Sequence, residues 1–234
     1  MNPNEERELK LVPPDASLLD RLAAVDRLGE LEVRSGRHEL QRNSFFDNPS
    51  RTFQRERIGF RRRVIAGQRL ATWTLKTGSA ESVADGIATR FEVELQLDAD
   101  MPPALSVGVL RDAARSRGAA ALAEGVADAL RRGGLPLARP VLELSTDRRI
   151  LDLEAASRGW VVDLALDRVT MVGHAYAELE IEAELKRGSV DALSAGHESI
   201  AGLGRIRASE GSKLSRALAH LAACRCQVNH AEQR

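Results

Sequence analysis

The sequence predicts an α+β chain that is mainly β, an antiparallel sheet closed into a barrel with a charged lumen and helices packed outside. Charged and apolar residues alternate through run after run, the period-two signature of half-buried strands. The polar faces of those runs carry acids and bases rather than Ser and Thr. One stretch, about 103–134, is rich in Ala, Leu and Arg and carries helical spacing instead.

The elements follow in order. Glu5 to Val12 reads as a strand, broken by Pro13-Pro14, and Asp15 is a good cap for the next helix. That helix carries Leu18, Leu19, Leu22, Ala23 and Leu28 at helical spacing, up to Gly29. Arg37 to Phe46 is a strand, and Asp47-Asn48-Pro49-Ser50 is turn chemistry. Arg57 to Ile65 and Gln68 to Lys76 pair around Ala66-Gly67, and Thr89 to Leu97 is a further strand. Helices are predicted over 104–117 and 119–132, ended by Gly133-Gly134. Strands return at Val141 to Leu144, Arg148 to Glu154, Gly159 to Asp167 and Ala175 to Lys186. Helices near 188–197 and 212–223 complete the reading.

A chain of 234 residues suits one domain, and no shift in composition marks a linker. Lys plus Arg equals Asp plus Glu at 34 each, which argues against nucleic acid as the partner, since phosphate coating leaves a basic excess. No apolar run is long enough to cross a membrane as a helix, and Met1 to Glu6 lacks the apolar centre of a secretory leader. Two cysteines, Cys224 and Cys226, cannot form a disulfide framework, and the expected compartment is the reducing cytoplasm.

The distribution of charge is the informative part. Glu6, Glu8 and Lys10 share one face of their strand, opposite Leu9 and Leu11. Arg61 and Arg63 share a face, as do Thr72, Thr74 and Lys76, and as do Arg90, Glu92 and Glu94. Asp163 and Asp167 lie on one side, and Glu178 to Glu184 places four carboxylates on another. Like charges two residues apart stand roughly 7 Å from each other, and such ladders repel unless opposite charge sits between them. The acidic ladders want a cation and the basic ladders a polyanion. Turning all of them inward gives a lumen able to hold a metal and a phosphate chain together. The acidic set is oxygen-only, which suits Mg²⁺ or Mn²⁺. Without metal, Glu6, Glu8, Glu180 and Glu182 are expected to crowd one end of the lumen and repel, and some of them to hold their protons more tightly than ordinary carboxyls.

These residues resemble the CYTH family, the triphosphate tunnel metalloenzymes. The resemblance is carried by Glu6-x-Glu8-x-Lys10, Arg61-x-Arg63, Leu75-Lys76 and Arg90-x-Glu92-x-Glu94. It continues through Leu164 to Asp167, Glu180-x-Glu182-x-Glu184-Leu185 and Ser212-Lys213, in the family's order over about residues 5 to 222. It implies an eight-stranded antiparallel β-barrel tunnel, as a single domain over 1–222 with a flexible tail at 223–234. It implies metal-dependent hydrolysis of the terminal phosphate of inorganic triphosphate or a small organic triphosphate. By the same resemblance the metal ligands are Glu6, Glu8, Glu92, Asp167, Glu180 and Glu182, with Glu94, Asp163 and Glu184 as second choices. The triphosphate clamps are Lys10, Arg61, Arg63, Lys76, Lys213 and Arg148, the last chosen over Arg149. Catalysis falls to Glu6, Glu8, Lys10, Glu92, Glu180 and Glu182. Partners are a triphosphate-containing small molecule, with neither nucleic acid nor membrane, and the chain is a monomer or homodimer.

Phe45-Phe46-Asp47-Asn48 departs from the family's usual aromatic-aromatic-Asp-Thr, and the His-Phe pair of class IV adenylyl cyclases is missing. The histidine-containing helical domain often fused behind this one is not expected after Lys213. Thiamine or nucleoside triphosphatase, adenylyl cyclase, and a non-catalytic polyphosphate-binding module are the alternatives. Gly211-Ser212-Lys213 has the wrong order for a phosphate-binding P-loop. Cys224, Cys226, His220 and His230 are read as ordinary, as are His38, His174 and His197. Trp73 and Trp160 are expected in a core, and Arg62, facing away from Arg61 and Arg63, in water.

Overall fold

The computed structural model describes residues 5–77, 81–83 and 87–231. Residues 1–4, on which the leader argument rests, lie outside the described residues, as do the side chains of Cys226 and His230. Among the described residues there are eleven strands and six α-helices, with one short 3₁₀ turn at Ala156–Arg158. In chain order these are β1 (Glu5–Val12), α1 (Ala16–Leu22), β2 (Arg27–Leu28), β3 (Leu31–Phe45) and α2 (Thr52–Arg55). Then come β4 (Ile58–Ile65), β5 (Leu70–Thr77), β6 (Glu81–Val83), β7 (Ile87–Asp98), α3 (Pro103–Ser116) and α4 (Ala120–Gly133). The chain continues through β8 (Leu142–Ala155), β9 (Trp160–Met171), β10 (Ala177–Arg187), α5 (Asp191–Leu203), β11 (Arg207–Ala208) and α6 (Lys213–Ala231).

Eight strands close into an antiparallel barrel in the order β1-β10-β9-β8-β3-β4-β5-β7, and β7 pairs back onto β1 through Glu6↔Arg90 and Glu8↔Ala88. Alternation then does what the sequence predicts along most of the barrel: charged and polar residues face inward and apolar residues outward, except at one end. The apolar faces are covered from outside. Leu9, Leu11, Leu164, Leu166 and Ile181 pack under α1 and α5. Phe60, Trp73, Leu75 and Val93 pack under α3 and α4. A buried leucine contributes about 1.5–3 kcal/mol, whereas a buried ion pair often nets close to zero. The outer shells therefore hold the barrel, and the lumen is free to carry charge.

A polar knot anchors the helical excursion. Asp47 accepts hydrogen bonds from the amides of Asn48 at 2.8 Å and Phe53 and Gln54 at 3.1 Å. Buried Asn48 donates to Thr52 and, at 3.3 Å, to the carbonyls of Ala129 and Gly134. A side chain at Gly133 would overlap that of Asn48, so only glycine fits there. The third apolar cluster, Phe45, Leu142, Leu144, Val169 and Met171, lies inside one end of the barrel and is stoppered by Ala217 of α6.

Four expectations are revised. The first helix ends at Leu22, and Arg27–Leu28 form a small hairpin with Leu31–Glu32 around Gly29, whose φ is +58°. The strands expected at 141–144 and 148–154 are one strand, β8. Helix α6 continues to Ala231, past its expected end near 223 and through most of the stretch expected to be a flexible tail. Arg62 is not a solvated charge. It lies over the rings of Phe46 and Trp73, 5.7 and 5.8 Å from their centroids, and donates to the Ala99 carbonyl at 3.0 Å. Trp73 and Trp160 are in cores as expected. Among the described residues no helix is long and apolar enough to cross a membrane.

Candidate active site

The barrel encloses a cavity of about 1530 Å³. Its wall includes the predicted residues Glu6, Glu8, Lys10, Glu92 and Glu182 together with Arg61, Arg63, Lys76, Arg148 and Lys213. Arg148 is the inward member of the Arg148-Arg149 pair. The second choices Glu94, Asp163 and Glu184 also line the cavity. Asp167 and Glu180 stand behind this wall, both with 0% exposure.

The acids separate into two groups. In the first, around β1 and β7, Lys76 Nζ is 2.8 Å from Glu92 and 3.7 Å from Glu6. Arg61 reaches Glu94 at 3.2 Å, and Arg90 reaches Glu8 at 2.6 Å. Glu6 and Glu92 lie within hydrogen-bonding reach of each other. Burial, then the charges of Glu92 and Glu8, push the Glu6 carboxyl well above its ordinary range despite Lys76. Burial acts on Glu92 too, but Lys76, the hydrogen bond from Glu6 and Arg61 outweigh it and hold Glu92 well below that range.

The second group is saturated with cations. Arg148 grips Asp167 with two bonds, 2.7 and 2.6 Å, and also touches Glu182. Lys213 Nζ stands 3.0 Å from Asp167, 3.2 Å from Glu180 and 2.9 Å from Glu182. Lys10 links the two groups, 2.8 Å from Glu182 and 2.9 Å from Glu8. This corrects the expected repulsion for Glu182. Burial raises its carboxyl, yet Lys10, Lys213 and Arg148 hold it well below the ordinary range. The sequence counts like charges along one strand, while the counter-charges arrive from other strands and from α6.

Arg63 is the exception among the bases. Its Nε donates to Asn43 at 3.3 Å, and among the described residues it has no carboxylate within ion-pair distance. Burial, then the neighbouring charges of Arg61 and Arg148, bring its guanidinium down to about 10. Arg63 thus lies near two arginines that are each paired with carboxylates, Arg61 with Glu94 and Arg148 with Asp167, while it has no carboxylate of its own among the described residues.

Sequence reasoning passed over two participants. Arg90 was visible on the charged face of Glu92 and Glu94. Arg216 binds Glu178 and Glu180, and its only signal is that it falls one turn after Lys213.

Glu6 and Glu92 are the lumen residues that would hold a hard divalent cation. Glu6 Oε2 is buried without a hydrogen bond, beside the Glu92 carboxylate, so two oxygen donors face each other there. Among the described residues no three carboxylate, imidazole or thiol groups converge closely enough to hold a metal by themselves. Two carboxylates completed by water and phosphate oxygens would suit Mg²⁺ or Mn²⁺.

The CYTH domain profile matches residues 4–218. The chain belongs to the CYTH family. Among solved structures, this CYTH chain is similar to HpAC1 from Hippeastrum, a candidate adenylyl cyclase described as having a dominant triphosphatase activity. The identity is 22% and the TM-score 0.54, over 90% of this chain and 93% of that one. It is also similar to a candidate adenylate cyclase from Bacillus halodurans, at 18% identity and a TM-score of 0.52, over 91% and 98% of the two chains. At these identities the likeness is one of fold. Comparison with curated protein sequences returns no match.

Proposed function

We propose that this CYTH chain is a metal-dependent phosphohydrolase that removes the terminal phosphate of inorganic triphosphate or of a small organic triphosphate inside the barrel. The observation that carries the reading is Arg63, a buried lumen guanidinium near Arg61 and Arg148 that bonds Asn43 and has no carboxylate within ion-pair distance among the described residues. A lumen guanidinium without a carboxylate partner is satisfied by phosphate oxygens. Guanidinium forks bind phosphate oxygens at two points, while Lys76 and Lys213 add point charges. Held this way, the chain of phosphates lies along the lumen, and the cage offsets the charge on the leaving group. Glu6 and Glu92, with Glu8 beside them, are the residues that would hold a divalent cation, which when bound polarises the phosphate oxygens. Asp167, Glu180 and Glu182 aim Arg148, Lys10 and Lys213 into the lumen.

The test is phosphate release by the full chain from inorganic triphosphate, thiamine triphosphate, ATP and polyphosphate, with Mg²⁺ and with Mn²⁺. Release from at least one triphosphate supports the proposal. Tight binding without release makes the chain a polyphosphate-binding module. Cyclic AMP and diphosphate formed from ATP make it a cyclase.

A further inference from the structure

Lys213 enters the lumen from the first turn of α6, a helix outside the barrel wall, and that turn is fastened in an unusual way. Within the turn, Ser212 and Ser215 cap each other. The Ser215 amide donates to the Ser212 hydroxyl at 3.2 Å, and the Ser212 amide donates to the Ser215 hydroxyl at 2.8 Å. A Cβ at Gly211 would stand 2.6 Å from that Ser215 hydroxyl, so the entry to the turn requires glycine. These contacts shape the turn but do not aim it. The pairing of β11 with β1, extended by the Ser209 amide on the Lys10 carbonyl, secures the chain only as far as Ser209.

Leu214, Ala217 and Leu221 dock α6 on the third apolar cluster, and Arg216 adds the polar fastening of its first turn. Its Nε and Nη2 donate to the two oxygens of Glu178 at 2.8 and 2.9 Å, and Nη2 also donates to Glu180 at 2.5 Å. Its Nη1 donates to the Ser209 hydroxyl at 2.6 Å and the Gly211 carbonyl at 3.1 Å. The guanidinium therefore ties the inner face of β10 to both ends of the loop that feeds α6. Glu180 is divided between two bases: Oε2 takes Arg216 and Oε1 takes Lys213.

We propose that Arg216 is a positioning residue, clamping Glu178 and Glu180 so that the first turn of α6 sets the Lys213 ammonium where a triphosphate oxygen binds. Glu180 is then a counter-ion shared by Arg216 and Lys213. The inference rests on the triphosphate reading for the purpose of Lys213, but the clamp itself can be tested without substrate.

The experiment uses the full chain and the variants Lys213→Ala, Arg216→Gln, Arg216→Lys and the double variant Lys213→Ala/Arg216→Gln. Binding of inorganic triphosphate is measured by calorimetry, and acylation of Lys213 by mass spectrometry without ligand. Loss of one charge-assisted contact weakens binding about ten- to hundredfold. Arg216→Gln should fall in that range, and the double variant should be no weaker than Lys213→Ala alone, because both changes remove the same contact. A merely structural arginine would instead give multiplicative losses. Lys213 should acylate faster in Arg216→Gln, and Arg216→Lys, which cannot span both carboxylates, should lie between. Multiplicative losses, or Lys213 acylation unchanged in both Arg216 variants, would overturn the inference. If Arg216→Gln does not fold, Arg216→Lys decides. A wild-type chain that does not bind triphosphate defeats the proposed function, and the acylation result still decides the clamp.

Discussion

Arg148 and Asp167 are register partners on β8 and β9, and the guanidinium closes two bonds on a carboxylate that has no solvent exposure. Removing one partner of such a pair leaves an uncompensated buried charge. Arg148→Ala should therefore destabilise the protein by about 3 kcal/mol, the lower end for a broken buried pair, since Lys213 remains 3.0 Å from Asp167. Thermal unfolding without ligand checks this, and an unchanged midpoint would show that Lys213 alone suffices.

Three consecutive arginines should separate by face. Arg61→Ala and Arg63→Ala should each weaken triphosphate binding about ten- to hundredfold. Arg62→Ala should leave binding intact and lower the melting temperature, because it strips a side chain from Phe46 and Trp73. Arg63 carries an opposite sign in stability. Its depressed value near 10 means that the charged form opposes folding at every pH below that. Arg63→Met should thus unfold at a higher temperature than the wild type while binding less triphosphate.

Glu6 and Glu182 should respond to pH in opposite directions when a chelator is present. The Glu6 carboxyl is raised in the folded state, so its ionised form costs stability above the ordinary value of 4.5. Glu6→Gln should melt higher than the wild type at pH 7, and the gain should vanish towards pH 4. The Glu182 carboxyl is lowered, so its contribution is full above 4.5 and is lost as pH falls further. Glu182→Gln should melt lower at pH 7, and the deficit should shrink in acid. Parallel shifts of the two variants would contradict this arrangement.

Chelation with EDTA should abolish phosphate release, and Mg²⁺ or Mn²⁺ should restore it. A cation at 100 times its dissociation constant stabilises the folded state by about 2.7 kcal/mol, so the melting temperature should rise with added metal at pH 7 to 8. Glu6→Gln and Glu92→Gln should each blunt that rise. Full hydrolysis in EDTA would remove the metal from the mechanism.

Period-two alternation made the barrel and its inward face legible, because a charged ladder opposite a leucine ladder leaves little choice of side. It was less able to find where strands begin and end. Ser145-Thr146-Asp147 looks like a break, yet Thr146 is a buried lumen residue that accepts from Asn43 at 3.3 Å, and β8 runs straight through it. Polar residues facing a polar lumen resemble loop. The register that sets Arg148 opposite Asp167 is not written in the sequence, although the resemblance favours Arg148 over Arg149. Arg216 was invisible for the same kind of reason. Its role depends on how α6 docks on β10, a relation between residues 38 positions apart.

The oily shells lie outside this barrel and the reactive surface lies within it, which reverses the usual division of labour in a small enzyme. Inward positions outside the buried Arg148–Asp167–Glu182 network can be exchanged with less cost to the leucines that cover the barrel from outside. A saturation scan read separately for survival of the fold and for chemistry should yield two interleaved maps, alternating residue by residue along each strand. Such a scaffold lets a lineage rewrite what it acts upon while leaving its architecture untouched.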